Sequence, residues 1–136
     1  MNAEITSGNK APLDAINLTV LNDLKELQQS DQPDFVTELI ELFLHDTTSQ
    51  LEIMRAAVLS NDVPEVRRVA HLMKGSSANI GATRMSAIYQ ELETVNLDIG
   101  TAGRNRQTLI SRLEDEFQQV SEALKTYRLE LGCVTR

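Results

Sequence analysis

The 136-residue sequence has no tryptophan, a single cysteine and three prolines, and only 4% of its residues are aromatic. The lone cysteine, Cys133, cannot form an internal disulfide, which argues against a disulfide-stabilised secreted fold. Few aromatic residues and many Leu, Ala, Glu and Gln favour helices over a β-sandwich or barrel. No apolar run approaches the roughly 20 residues of a membrane span. Together these features predict a soluble, cytoplasmic, all-α protein with no membrane contact.

The net charge of −7 disfavours nucleic-acid binding, which needs clustered Lys and Arg. The charge is unevenly distributed along the chain. The window from Val66 to Gln90 contains no Asp or Glu and carries four basic residues, whereas the rest of the chain carries 20 acids and nine bases, a net −11. The four bases are Arg67, Arg68, Lys74 and Arg84. We therefore expect this window to contribute a basic docking surface to an acidic protein.

Five segments carry apolar residues at helical spacing. The predicted helices are Asn17–Gln28, Asp34–Leu59, a third ending near Ile80, a fourth carrying apolar residues from Met85 to Val95, and a last one carrying apolar residues from Ile110 to Leu131. Gly100 and Gly103 are expected to break the chain between the last two helices. Because the connections are short, neighbouring helices should run antiparallel. The sequence predicts an antiparallel four-helix bundle with an additional N-terminal helix, preceded by a flexible tail over residues 1–13.

Local signals mark the ends of the third helix. Asp62 is suited to cap its first turn, Pro64 fits a position where no amide donor is needed, and Glu65 occupies the capping-box position. Gly81 is suited to end the helix in a left-handed conformation. Thr83 is then expected to cap the fourth helix.

On a helical wheel the third helix separates into an apolar stripe and a polar face. The stripe, about 80° wide at about 100° per residue, comprises Val66, Val69, Ala70, Met73, Ser77 and Ile80. His71 lies roughly 140° from its centre, beside Arg67, Lys74, Gly75 and Ala78. His71 is therefore predicted to face solvent.

A glycine, Gly75, lies inside the same helix as this histidine. Glycine in a helix interior lowers helix stability by about 0.5–1 kcal/mol relative to alanine, so its presence calls for a reason. Gly75 is one turn from His71, and Ala78 on the same face is also small, so the imidazole should be approachable. A glycine can instead allow close helix packing, but Gly75 lies away from the apolar stripe. An accessible imidazole with Lys74 and Arg67 nearby suits transient attachment of a phosphoryl group, because neutral imidazole is nucleophilic and cations offset the phosphoryl charge.

The run His71-Leu72-Met73-Lys74-Gly75-Ser76-Ser77, followed by Gly81-Ala82, resembles the signature of histidine-containing phosphotransfer (HPt) domains. The segment 38–47, Ala70 and the Leu92-Glu93 pair extend the resemblance, which covers about residues 18–130. It implies a single HPt domain over residues 14–136. It also implies that the chain is a phosphorelay intermediate without ATP-dependent kinase activity.

The resemblance implies roles for particular residues. His71 would accept a phosphoryl group through Nε2 from a receiver-domain aspartyl phosphate and pass it to another receiver. Lys74 would stabilise the phosphoryl charge and aid docking, and Gly75 would provide access. The partners would be response-regulator receiver domains and a (hybrid) sensor histidine kinase. This chain would bind no metal or other cofactor, and the receiver would supply Mg²⁺.

Four further residues are expected near the site. Glu93 stands where several HPt domains have a glutamine that hydrogen-bonds the histidine, so its carboxylate would orient the ring but also repel a phosphoryl group. Arg67 and Ala78 flank His71 on the wheel. Leu72 is either an exposed apolar contact for a docking partner or a residue packed under the N-terminal helix.

Several alternatives stand beside this interpretation. The chain is a phosphate carrier or, alternatively, a helical interaction module (pseudo-HPt) that binds receivers without carrying phosphate. We expect a monomer, and the initiating Met favours a free-standing protein over a fragment of a hybrid kinase. His45, next to Asp46, is interpreted as a solvated histidine. The acidic run 114–116 is interpreted as a solvated face, because consecutive residues fan around a helix.

Overall fold

The computed structural model describes residues 15–27, 35–94 and 100–135, and the side chains of the last stretch from 106 to 129. These residues form helices without any strand, which confirms the all-α class. The helices are α1 (Leu18–Leu27), α2 (Phe35–Leu59), α3 (Val63–Asn79), α4 (Thr83–Thr94) and α5 (Gly100–Thr135). The expected tail over residues 1–13 lies outside the described residues. None of the described helices has the length and apolar character needed to cross a membrane.

Ion pairs between helices show that the bundle is antiparallel. Along α2 and α4 the paired residue numbers rise while those on α5 fall. The pairs are Glu41–Arg128 and Arg55–Glu114 between α2 and α5, and Arg84–Glu116 and Glu91–Arg112 between α4 and α5. The turn after α2 leads directly into α3, with Asp62 N donating to Ala57 O at 2.8 Å. The predicted four-helix bundle, here α2 to α5, is confirmed, and α1 packs on α2 as the additional helix.

The core contains the apolar stripe predicted for α3. Every member of that stripe is buried. Met54, Met73 and Met85 are at most 1% exposed, as expected for packing residues. Along α5 the predicted positions Ile110, Leu113, Val120 and Leu124 are buried, whereas Phe117 and Tyr127 are half-buried against the core. Burial of each large apolar side chain contributes about 1.5–3 kcal/mol, so this seam stabilises the bundle.

The ends of α3 follow the predicted signals, with one exception. Asp62 Oδ1 accepts from Glu65 N at 3.2 Å, which confirms the N-cap. Gly81 has φ +90°, which confirms the left-handed residue after the helix. The Glu65 carboxylate accepts two hydrogen bonds from the Arg68 guanidinium, both at 2.8 Å. The cap is therefore made by Asp62, and the Glu65 side chain is engaged with a cation one turn along.

Two boundary predictions were wrong. Thr83 is the first residue of α4 rather than a cap before it, and Ala82 O accepts the bond from Ser86 N at 3.0 Å. Gly100 and Gly103 were expected to break the chain between the last two helices; α5 does begin at Gly100, but it continues through Gly103. Glycine weakens a helix by only about 1 kcal/mol, and the first-turn amides lack helical partners in any case.

Gly81 also attaches α1 to the bundle. Its carbonyl accepts from Asn17 N at 2.7 Å, and Asn17 Oδ1 accepts from Thr19 N at 3.0 Å at the start of α1. A Cβ on Gly81 would lie 2.8 Å from Asn17 O and 3.2 Å from Val20 Cβ. Glycine is therefore needed for the positive φ and for the close approach of α1.

Gly81→Ala is expected to lower the free energy of unfolding by about 1–3 kcal/mol, because it forces an alanine into a left-handed conformation and against Asn17. Urea denaturation followed by circular dichroism measures this change. Gly75→Ala is the matched control, since a Cβ there meets no atom within 4 Å, and it should stabilise α3 by about 0.5–1 kcal/mol. Equal midpoints for the two variants would contradict the role given to Gly81.

Candidate functional site

His71 lies on the solvent face of α3, as the helical wheel predicted. Its side chain is 72% exposed. Its Nδ1 is 2.8 Å from Glu93 Oε2 on α4. An ionised carboxylate can only accept a hydrogen bond, so Nδ1 carries the proton, and in the neutral ring Nε2 then keeps its lone pair. Among the described residues nothing hydrogen-bonds to Nε2. The exposed nitrogen is thus the nucleophilic one.

Glu93 joins His71 and Lys74 through its two carboxylate oxygens. Oε2 faces His71, and Oε1 forms an ion pair with Lys74 Nζ at 2.8 Å. The interaction with Lys74, followed by the smaller effect of the hydrogen bond with His71, holds the pKa of Glu93 below its ordinary value. The carboxylate therefore remains ionised near neutral pH, which preserves the hydrogen bond that orients the imidazole.

Lys74 is held against α4. Its ammonium donates to Gln90 Oε1 at 2.9 Å in addition to pairing with Glu93. The side chain is 30% exposed. The cation predicted to serve the phosphoryl group is thus placed next to the histidine but already has two acceptors.

Gly75 is exposed, and a Cβ built on it would meet nothing within 4 Å. This excludes the alternative that Gly75 permits close helix packing. Ala78, one turn further on, is also exposed. The surface beside His71 is therefore open, as access for another molecule requires.

Leu72 is 48% exposed, so it does not pack under the N-terminal helix. Further along the same flank of α3, Ser76 and Asn79 line a groove with Leu42 of α2 and Leu24 of α1. Leu42 is 56% exposed. The flank of α3 that faces α2 thus offers apolar surface next to the histidine.

The acid-free window does not form the basic surface expected from the sequence. Three of its four cations pair with glutamates from outside the window. The pairs are Arg68–Glu65 and Lys74–Glu93, both at 2.8 Å, and Arg84–Glu116 at 3.0 Å. Of the four, Arg67 alone has no ion pair with a described residue, and it is exposed one turn before His71. Positive charge beside the site is therefore largely neutralised.

The acidic run 114–116 is not a uniformly solvated face, because the Glu116 side chain is only 13% exposed. His45 is exposed on α2. Glu114 pairs with Arg55 of α2, whereas Glu116 pairs with Arg84 of α4, so the acidic run does fan around α5. Across the described part of the chain, no three His, Cys, Asp or Glu side chains are grouped so as to hold a metal ion. Cys133 lies outside the side chains that the structure describes.

Two residues of α4 that contact this site were missed in the sequence. Gln90 accepts from Lys74 Nζ, and Ser86 Oγ donates to the Lys74 carbonyl at 3.0 Å. Ser86, Gln90 and Glu93 are spaced by four and three residues, which places them on one face of a helix. The sequence shows that these three polar residues share one face of a helix. It does not show which residues of another helix lie opposite that face.

Glu93→Gln is expected to remove a pH-dependent part of the stability. A carboxyl group with a depressed folded-state pKa stabilises the fold at pH above its unfolded pKa, and this contribution is lost as the pH falls through the folded pKa. The wild type should therefore exceed Glu93→Gln in stability at pH 7, and the difference should shrink below about pH 4. Urea midpoints from pH 7 to pH 3 measure it. A constant difference across that range would contradict the ionised bridge.

Comparison with known proteins agrees with this geometry. The family model described as "Hpt domain" matches residues 38–123. "Histidine-containing phosphotransfer protein 2" of Arabidopsis thaliana is 35% identical over 69 residues, covering 48% of this chain and 44% of that protein. The chain thus spans under half the length of this relative.

Two further relatives cover more of the chain. "Pseudo histidine-containing phosphotransfer protein 2" of Oryza sativa subsp. japonica is 30% identical over 108 residues, covering 71% of this chain and 72% of that protein. The crystal structure of histidine-containing phosphotransfer protein B (HptB) from Pseudomonas aeruginosa superposes with a TM-score of 0.72 at 28% identity. The superposition covers 85% of this chain and 96% of the HptB chain.

Proposed function

The chain belongs to the Hpt domain family, and from this premise we propose that it is a phosphorelay intermediate that carries a phosphoryl group on His71. The observation that carries the proposal is the state of the imidazole. It is 72% exposed and bonded at Nδ1 to Glu93, and it stands beside a glycine whose Cβ position is open. These are the requirements of a nucleophile that must enter the active site of another protein.

The chemistry follows from the ring orientation. The Nε2 lone pair attacks the phosphorus of a receiver's aspartyl phosphate. The new N–P bond forms as the P–O bond to the aspartyl carboxylate breaks, and the carboxylate leaves with the electron pair. Throughout, Glu93 accepts the hydrogen bond from Nδ1–H, which stabilises positive charge that develops on the imidazole. The reverse sequence returns the phosphoryl group to a second receiver aspartate.

The receiver domain is proposed to dock over the exposed face of α3. Leu72 offers apolar contact next to His71 in the helix, and the groove lined by Leu42 and Ser76 offers more of it further along α3. Arg67, which has no ion pair with a described residue, offers a positive charge one turn before His71. Mg²⁺, which offsets charge on the equatorial phosphoryl oxygens, would be held by the receiver. A sensor histidine kinase would supply the phosphoryl group at the start of the relay, and this chain would act as a monomeric carrier without ATP-dependent kinase activity.

The alternative is a pseudo-HPt module that binds receivers without carrying phosphate. One relative bears that description in its name, so the choice rests on the residues of the site. His71 is present, oriented and accessible, and Lys74 and Gly75 stand at their motif positions. This arrangement supports the carrier.

Incubation with a phosphorylated receiver tests the proposal. The wild type should acquire acid-labile label, and an added unphosphorylated receiver should then remove it. Binding without label would establish the pseudo-HPt alternative. ATP alone should give no label, and label from ATP would contradict the carrier without kinase activity.

A further inference from the structure

The α3–α4 interface holds Lys74 at two levels, backbone and side chain. Ser86 Oγ donates to the Lys74 carbonyl at 3.0 Å, which ties the two helices together beside the site. The Lys74 ammonium then reaches Gln90 Oε1 at 2.9 Å and Glu93 Oε1 at 2.8 Å. One face of α4 therefore determines where the ammonium lies.

The two acceptors on α4 differ in strength. An ammonium has three N–H donors. The Glu93 carboxylate carries a full negative charge and attracts the ammonium in an ion pair at 2.8 Å, whereas the Gln90 amide oxygen carries only a partial charge. The contact with Gln90 is therefore the weaker of the two. Gln90 is also exposed, and its amide can be solvated once the lysine leaves. Gln90 is thus the acceptor that Lys74 can give up at least cost.

We propose that Gln90 is a positioning residue that holds Lys74 on α4 while His71 is free and releases it when a phosphoryl group is attached. The inference rests on the proposed function. On phosphorylation, Lys74 Nζ exchanges the Gln90 amide oxygen for a phosphoryl oxygen. Glu93 keeps its bond to Nδ1–H, so the ring does not turn. Gln90 thereby sets how long the phosphoryl group is retained.

The neutral charge of Gln90 is essential to this exchange. A second carboxylate at this position would bind the ammonium more firmly and repel the phosphoryl group. An apolar side chain of similar length would remove the competition from position 90 and leave Glu93 as the remaining acceptor for the ammonium on α4. Gln90→Glu and Gln90→Met therefore alter Lys74 in opposite directions, and substitution at this exposed position should leave the fold intact.

Phosphoramidate tests the inference without any receiver. Its P–N bond breaks and ammonia leaves as the bond from phosphorus to Nε2 forms. We expect Gln90→Glu to shorten the lifetime of phosphohistidine about tenfold, the size of one added unit charge nearby. Gln90→Met should retain the group at least as long as the wild type. In NMR, the ¹⁵Nζ signal of Lys74 should shift on phosphorylation of the wild type, and it should already differ in unphosphorylated Gln90→Met.

Gln119→Glu is the matched control, because Gln119 accepts a hydrogen bond from Arg84 between α4 and α5. The lifetime of phosphohistidine in this variant should equal that in the wild type. Wild-type lifetimes in both Gln90 variants, or a Lys74 signal that phosphorylation does not move, would overturn the inference alone. Failure of the proposed function has a different signature, since label would then enter the wild type no better than His71→Gln.

Discussion

Replacement of His71 by glutamine should reduce label uptake from a phosphorylated receiver by at least roughly 10³-fold, as expected when a nucleophile is removed. An amide nitrogen has no available lone pair to attack phosphorus. The side chain is 72% exposed, and a glutamine amide can still donate to Glu93, so stability should change little. Quantification of acid-labile label after gel separation, with unfolding midpoints beside it, measures both.

His45→Gln is the matched control, because His45 is the other histidine of the chain and is exposed on α2. Its uptake of label should equal that of the wild type. Equal uptake by His71→Gln and the wild type would refute the assignment of the acceptor. Loss of label in His45→Gln would instead transfer the role to α2.

Gly75→Gln should slow transfer between the chain and a receiver by about 10²-fold, since small displacements of reacting groups have effects of that size. The new side chain has room on the isolated chain, because a Cβ at this position meets no atom within 4 Å. It would nevertheless occupy space beside His71 that a receiver must enter. Stability should be unchanged or higher by up to about 1 kcal/mol. Rapid-quench measurement of transfer and urea unfolding give the two values.

A small donor separates access from reactivity in this variant. Phosphoramidate can approach Nε2 from solvent, so Gly75→Gln should retain most of its reactivity with that donor while transfer from the receiver falls. Gly75→Ala should give a smaller loss with the receiver. Unchanged transfer from the receiver in Gly75→Gln would show that the glycine does not serve access.

Much of the fold could be predicted because its determinants are local. The spacing of Val66, Val69 and Met73 dictates which side of α3 is buried, whatever packs against it. Asp62 and Gly81 determine the ends of that helix through hydrogen bonding and backbone conformation within a few residues. Gly103 was misjudged because glycine lowers helix propensity without preventing a helix that packing supports.

The candidate site could be predicted only in part. The exposure of His71 and the position of Gly75 follow from the period of one helix, and the structure places both as expected. The hydrogen bond from His71 Nδ1 to the Glu93 carboxylate was expected from the family resemblance, and it is present at 2.8 Å. Gln90 was missed because its role depends on the distance between two helices, which no single-helix pattern contains.

By itself the sequence determined the helices, their buried faces and the histidine that faces solvent, because each depends on residues close along the chain. The tertiary structure alone decided the charge around that histidine. The window from Val66 to Gln90 contains bases and no acids. In the folded chain, however, Lys74 forms an ion pair with Glu93, which follows the window, and Arg84 forms one with Glu116 of α5. The energy of an ion pair depends on the distance between the charges in space. Carboxylates outside the window can therefore neutralise its cations, which a count of charges along the sequence does not reveal.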